Sequence, residues 1–162
     1  MNSLFARGLL VSAAVLALDQ FTKWLILTKI MVPPRAIPVT PFFDLVLGWN
    51  TGISFGLFSN SPEAARWVFI AIGLAITAVL VVWMARSRGP FLVLAIGLII
   101  GGALGNILDR ARFGAVVDFL YFHYRDYGFP AFNIADSAIS IGVALILIDS
   151  LFLERRSRKK GA

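Results

Sequence analysis

Four long apolar runs divide the chain. Residues 8–30 are apolar apart from Asp19, Gln20, Lys23 and Lys29, and residues 64–85, 91–109 and 131–153 are further runs. Each has the length of a helix that crosses a bilayer. Between the first two runs lies an interlude, 31–63, punctuated by Pro33, Pro34, Pro38, Pro41, Gly48, Gly52 and Gly56. Within it, residues 42–47 and 53–58 have strand composition, and Trp49-Asn50-Thr51-Gly52 reads as the turn between them. The pattern predicts a small sheet or curled hairpin outside the bilayer. Ser61-Pro62-Glu63 then reads as a helix start, with proline in the first turn. A second interlude, 110–130, carries Phe119, Tyr121, Phe122, Tyr124, Tyr127 and Phe129. That composition suits a membrane interface and predicts a short helix lying along it. The fold class expected is an all-α membrane protein, one domain over 1–162.

Composition agrees. The hydrophobic fraction is 59% and mean hydropathy +0.83, above ordinary soluble proteins. Arg7 before an apolar run resembles a signal-peptide start, but the run outlasts that length and lacks a small-x-small cleavage site, so a first membrane helix is expected. The net charge of +6 does not imply nucleic acid, because Arg155, Arg156, Arg158, Lys159 and Lys160 crowd the end of the chain. A basic tail beside a membrane helix contacts anionic headgroups. Arg7, Arg86, Arg88 and those five lie on one side of the predicted spans, whereas the longer interludes hold only Arg35, Arg110, Arg112 and Arg125. Both termini are therefore expected in the cytoplasm, with the interludes outside. The absence of cysteine excludes disulfides and thiolate catalysis, and His123 alone cannot build a His-rich zinc site. No metal or cofactor is expected.

The candidate chemistry lies in 101–136. An aspartate at the centre of a membrane helix costs roughly 2.5–3.5 kcal/mol, so Asp109, Asp118 and Asp136 beside two spans invite a functional reading. Asn106, Asp109 and Arg110 share a face at i, i+3 and i+4, and Asn133 and Asp136 repeat the Asn-x-x-Asp spacing. Asp118 follows Val116-Val117 in the connection. Two carboxylates that meet share a proton. The ionised one activates water and the protonated one donates to a carbonyl oxygen, which is aspartic-protease chemistry. Structural readings stand beside this. Asp109 with Arg110 reads as a pair at a helix end, and Asp19 with Lys23 as an intrahelical pair. Asp136 reads as a first-turn residue favoured by the helix dipole. Asp149 near Arg155 and Arg156 reads as a solvated flank, and His123 as interfacial. Spacing alone leaves a four-helix membrane protein with an outward polar site. A transporter would carry inverted repeats and broken helices, neither of which is visible; an assembly subunit would carry no site at all.

Five segments go further: Asp19-Gln-Phe-Thr-Lys23, Asn50-Thr-Gly52-Ile-Ser-Phe55, Gly101-Gly-Ala-Leu-Gly105-Asn106-Ile-Leu-Asp109-Arg110, Val116-Val117-Asp118-Phe119 and Phe132-Asn133-Ile-Ala135-Asp136-Ser137. In type and order they resemble the lipoprotein signal peptidase (signal peptidase II) family. The resemblance implies a four-helix bacterial inner-membrane aspartyl endopeptidase with an extracytoplasmic sheet cradle and a surface helix. Its substrates would be prolipoproteins, cut just before a diacylglyceryl-modified cysteine. It implies Asp118 and Asp136 as the dyad, with Asn106, Asp109, Arg110 and Asn133 supporting it by hydrogen bonding. Asp19, Lys23, Asn50, Gly52 and Ala135 would serve site architecture and substrate contact. It also implies inhibition by globomycin, a cyclic peptide, and contact with membrane lipid. A monomer is expected.

Overall fold

A computed structural model gives the fold and describes residues 3–52 and 62–153. Four helices are long and apolar enough to cross a membrane: Ser3–Ile30, Glu63–Arg86, Pro90–Phe113 and Ile134–Leu151. In chain order, α1 spans Ser3–Leu25 and runs on through a π-helical turn, Ile26–Ile30. Strands β1 (Ile37–Thr40) and β2 (Phe43–Asn50) precede α2 (Pro62–Arg86) and α3 (Pro90–Phe113). Strands β3 (Val116–Tyr124) and β4 (Tyr127–Gly128) then lead to α4 (Ile134–Ile148), which ends in a second π-helical turn.

Helix α3 is the hub and packs against each of the other three. Its small residues allow this. A Cβ on Gly101 would stand 2.6 Å from the Ser12 carbonyl oxygen of α1, and one on Gly105 would stand 2.5 Å from the Asp19 carboxylate. On the next face, a Cβ on Gly102 would collide with the Ala135 carbonyl oxygen of α4. Small residues let membrane helices approach backbone to backbone, where dispersion and side-chain hydrogen bonds replace the hydrophobic effect. The Ser12 hydroxyl adds such a bond, donating to the Gly97 carbonyl at 2.9 Å. Gly102→Ala is therefore expected to wedge α3 from α4 and cost roughly 1–3 kcal/mol. Gly89→Ala, whose Cβ meets nothing nearer than 3.9 Å, is expected to cost under about 1 kcal/mol, the preference for glycine at the N-cap of α3; thermal midpoints in the same detergent compare the two.

The small sheet is antiparallel, in the order β1-β2-β3-β4. It covers one end of the bundle, where Phe119 packs with Ile26 and Met31 against Ile30, Ile37, Leu45 and Ile134. Gly48 of β2 faces Asp118 of β3 in the register.

Several expectations change here. Helix α3 runs to Phe113, past the predicted end at 109, and stops where Gly114 takes φ +79° and donates its N–H to the Arg110 carbonyl. The interfacial helix expected in 110–130 is absent: the segment forms β3 and β4. Its alternating aromatics suit a sheet equally well, and an available partner strand decides the matter. Trp49 and Asn50 continue β2 instead of forming the turn, and β2 pairs with β1 and β3. The strand expected over 53–58 lies outside the described residues, as do Ser61 and the basic tail.

Candidate active site

Helix α4 begins at a capping box. The Asn133 side-chain oxygen accepts from the Asp136 N–H at 2.9 Å, and the Asp136 carboxylate accepts from the Asn133 N–H at 3.3 Å. Such reciprocal bonds satisfy N–H groups that a helix start leaves free. The Asn133 amide nitrogen faces the other way, donating to Asp118 Oδ1 at 2.7 Å, with the Val117 carbonyl at 3.2 Å and Asn106 Oδ1 at 3.3 Å. Asn106 in turn donates to Asp136 Oδ1 at 2.7 Å. Two asparagines thus connect the carboxylates of β3 and α4 through short bonds. Asn133 is fully buried and Asp118 nearly so.

Burial pushes the Asp118 carboxyl up to about 6, and the nearby Asp136 charge pushes the same way. Hydrogen bonds from Asn50 and Asn133 and the charge of Lys23 oppose the rise. A carboxyl that keeps its proton toward neutral pH suits general acid–base work.

A second polar cluster lies on the α1 side. Lys23 Nζ is 2.8 Å from Asp19 Oδ2 and 2.8 Å from Asp109 Oδ2, and all three residues are buried. The intrahelical pair expected of Asp19 and Lys23 is thus part of a triad. The pair expected between Asp109 and Arg110 is not formed. Neighbouring residues on a helix point about 100° apart, so Asp109 turns to Lys23 while the Arg110 guanidinium lies 5.3 Å over the Phe69 ring. The carboxylates of Asp136, Asp118 and Asp109 all act on the Arg110 charge.

A profile of the signal peptidase (SPase) II family matches residues 11–152. The chain belongs to the signal peptidase II family. It is 44% identical over 148 residues to the lipoprotein signal peptidase of Methylorubrum extorquens (strain PA1), covering 91% of this chain and 86% of that one. To the lipoprotein signal peptidase of Rhodopseudomonas palustris (strain TIE-1) it is 46% identical over 149 residues, covering 89% and 91%. A solved bacterial membrane enzyme, determined in meso at 1.9 Å, superposes with a TM-score of 0.79 at 35% identity, covering 91% of this chain and 94% of that one.

The described residues of the segments through which the chain resembles signal peptidase II converge at one end of the bundle. Asn106, Asp118, Asn133 and Asp136 form the first cluster, and Asp19, Lys23 and Asp109 the second. Lys23 joins them by donating to Asn106 Oδ1 at 3.4 Å. Ala135, fully buried, donates its N–H to Asp19 Oδ1 at 3.0 Å. Asn50 ends β2 beside Asp118 and accepts from the Gly52 N–H at 2.9 Å. Gly52 has φ +77°, a conformation that favours glycine, and a Cβ there would also meet the Phe69 ring.

The structure adds Gln20 to the site. Its amide donates to Asp109 Oδ1 at 2.9 Å and Asp19 Oδ2 at 3.2 Å. A polar side chain next to Asp19 in an apolar run was the available signal. His123 lies away from both clusters, 3.3 Å from Asp44 on the sheet. Among the described residues no group of three or more His, Cys, Asp and Glu is arranged to hold a metal ion.

Proposed function

We propose that this chain is a membrane aspartic endopeptidase that removes signal peptides from prolipoproteins, with Asp118 and Asp136 as the catalytic pair. The observation that carries the assignment is the asparagine bridge. One amide holds Asp118, the next holds Asp136, and the two are in contact. One carboxylate, ionised, takes a proton from a water molecule whose oxygen attacks the scissile carbonyl carbon. Its partner, protonated, gives its proton to the carbonyl oxygen. The resulting diol collapses, the C–N bond breaks, and the departing amine takes up a proton. The raised proton affinity of Asp118 suits it to hold the proton that is donated. Arg110, close to both carboxylates, offsets their charge.

The substrate fits this location. A signal-peptide helix lies in the bilayer and its cleavage point near the surface, the depth at which α3 ends and α4 begins. Cleavage falls just before a diacylglyceryl-modified cysteine, whose acyl chains lie against the apolar helix faces. The excess of Lys and Arg at the termini and the α2–α3 connection supports cytoplasmic termini and a site at the outer face of a bacterial inner membrane. The enzyme acts as a monomer, and cyclic peptides of the globomycin type occupy the same site.

Incubating the purified chain, in vesicles, with a diacylglyceryl-modified precursor and its unlipidated counterpart tests this. Cleavage of the lipidated form alone is expected. Equal cleavage of both would remove the lipid requirement; cleavage of neither would remove the peptidase assignment.

A further inference from the structure

The Lys23 triad carries an inference that rests on the dyad assignment above. Its two carboxylates do more than neutralise a lysine. Asp19 spends Oδ2 on Lys23 and uses Oδ1 to accept the N–H of Ala135, the residue immediately before Asp136. Asp109 Oδ2 accepts both Lys23 and the N–H of Val117, the residue immediately before Asp118. Gln20 spans the two carboxylates, and Lys23 also reaches Asn106, whose amide holds Asp136. The two carboxylates that share this ammonium thus hold two matched backbone positions, one on β3 and one on α4.

Joining helices does not require this arrangement. Well-packed apolar residues often replace a buried ion cluster with no loss of stability, and the glycines of α3 already bring α1 and α4 close. The triad supplies direction instead, because its acceptors point at the N–H groups that aim the two aspartates. Catalytic groups displaced by about 1 Å can lose roughly a hundredfold in rate. We propose that Asp19 and Asp109 are positioning residues, a clamp that sets the separation of Asp118 and Asp136 by holding the backbone N–H before each, while Lys23 balances their charge.

The full chain, in vesicles and supplied with a diacylglyceryl-modified precursor peptide, tests the clamp through kcat and KM measured separately, with thermal midpoints alongside. Asp109→Asn and Asp19→Asn keep an oxygen acceptor and are expected to retain kcat within roughly fivefold. Asp109→Leu and Asp19→Leu remove it and are expected to lower kcat by roughly fiftyfold or more, with KM within about twofold. The triple variant Asp19→Asn, Lys23→Met, Asp109→Asn removes every charge yet keeps both acceptors. It is expected to fold and to work within about tenfold of wild type, which keeps the test open if the leucine variants do not fold. Losses that follow the thermal midpoint rather than the acceptor, a folded leucine variant with wild-type kcat, or a folded but inactive triple variant would each overturn the clamp. In all of these the wild-type chain cleaves; a wild-type chain that leaves the precursor intact overturns the dyad reading, and the clamp with it.

Discussion

Asp118→Asn and Asp136→Asn are each expected to lower turnover of a lipidated precursor by roughly a hundredfold or more while the protein still folds in the membrane. In the proposed dyad either change removes one of the two groups between which a proton moves, and neither empties space. The amide at 136 retains an oxygen for the Asn133 N–H, so the start of α4 survives. Near wild-type turnover in either variant would show that the substituted residue is not part of the dyad. A second readout follows from titration. The Asp118 carboxyl ionises in the folded protein at about 6 and, as an ordinary aspartate, near 3.8 when unfolded. Across that interval the folded state holds a proton that the unfolded chain has released, so native stability falls as pH rises and stays at the lower level above it. Asp118→Asn abolishes this titration. Its thermal midpoint is therefore expected to gain on the wild type between about pH 4 and 6 and to keep the gain above. A constant difference across that range would mean that Asp118 behaves as a solvated carboxylate. Lost turnover with raised stability at neutral pH is the mark of a group held in place at a cost in stability.

The other large effect is expected at Asn133, which has no proton to exchange. It caps α4, bridges to Asn106 and donates the 2.7 Å bond to Asp118. Asn133→Ala removes the cap, worth about 1 kcal/mol, and leaves buried partners unsatisfied at about 1–3 kcal/mol. A lower thermal midpoint and a fall in kcat are both expected. Asn133→Asp separates the two consequences. Aspartate caps a helix as well as asparagine, so the α4 start is retained, but a carboxylate then faces Asp118 where an amide donated. Midpoint and kcat should part company in that variant. Full activity in Asn133→Asp would show that the donated hydrogen bond is dispensable.

The transmembrane helices were legible because a bilayer demands about twenty apolar residues in succession, a requirement written locally in the chain. Asn133 and Asp136 were legible as neighbours for the same kind of reason, since a helix start sets which side chains meet three positions apart. Residues 110–130 do not declare their strands in sequence, because aromatic composition marks the interface without choosing between a helix and a strand. The edge of β2, distant in sequence, makes that choice. Charge and proximity in sequence point Asp109 to adjacent Arg110. On a helix, adjacency in sequence turns side chains apart, and the true partner, Lys23, comes from α1.

Local pattern and motif order by themselves determined four spans, the likeness to signal peptidase II and the identity of the acidic residues. Tertiary structure alone decided which of those acids share a lysine, which are bridged by asparagine, and that β3 carries Asp118. The division has a physical cause. Crossing a bilayer and capping a helix are satisfied within a few consecutive turns, whereas a buried charge finds its partner, and a strand its neighbour, only where distant segments pack together.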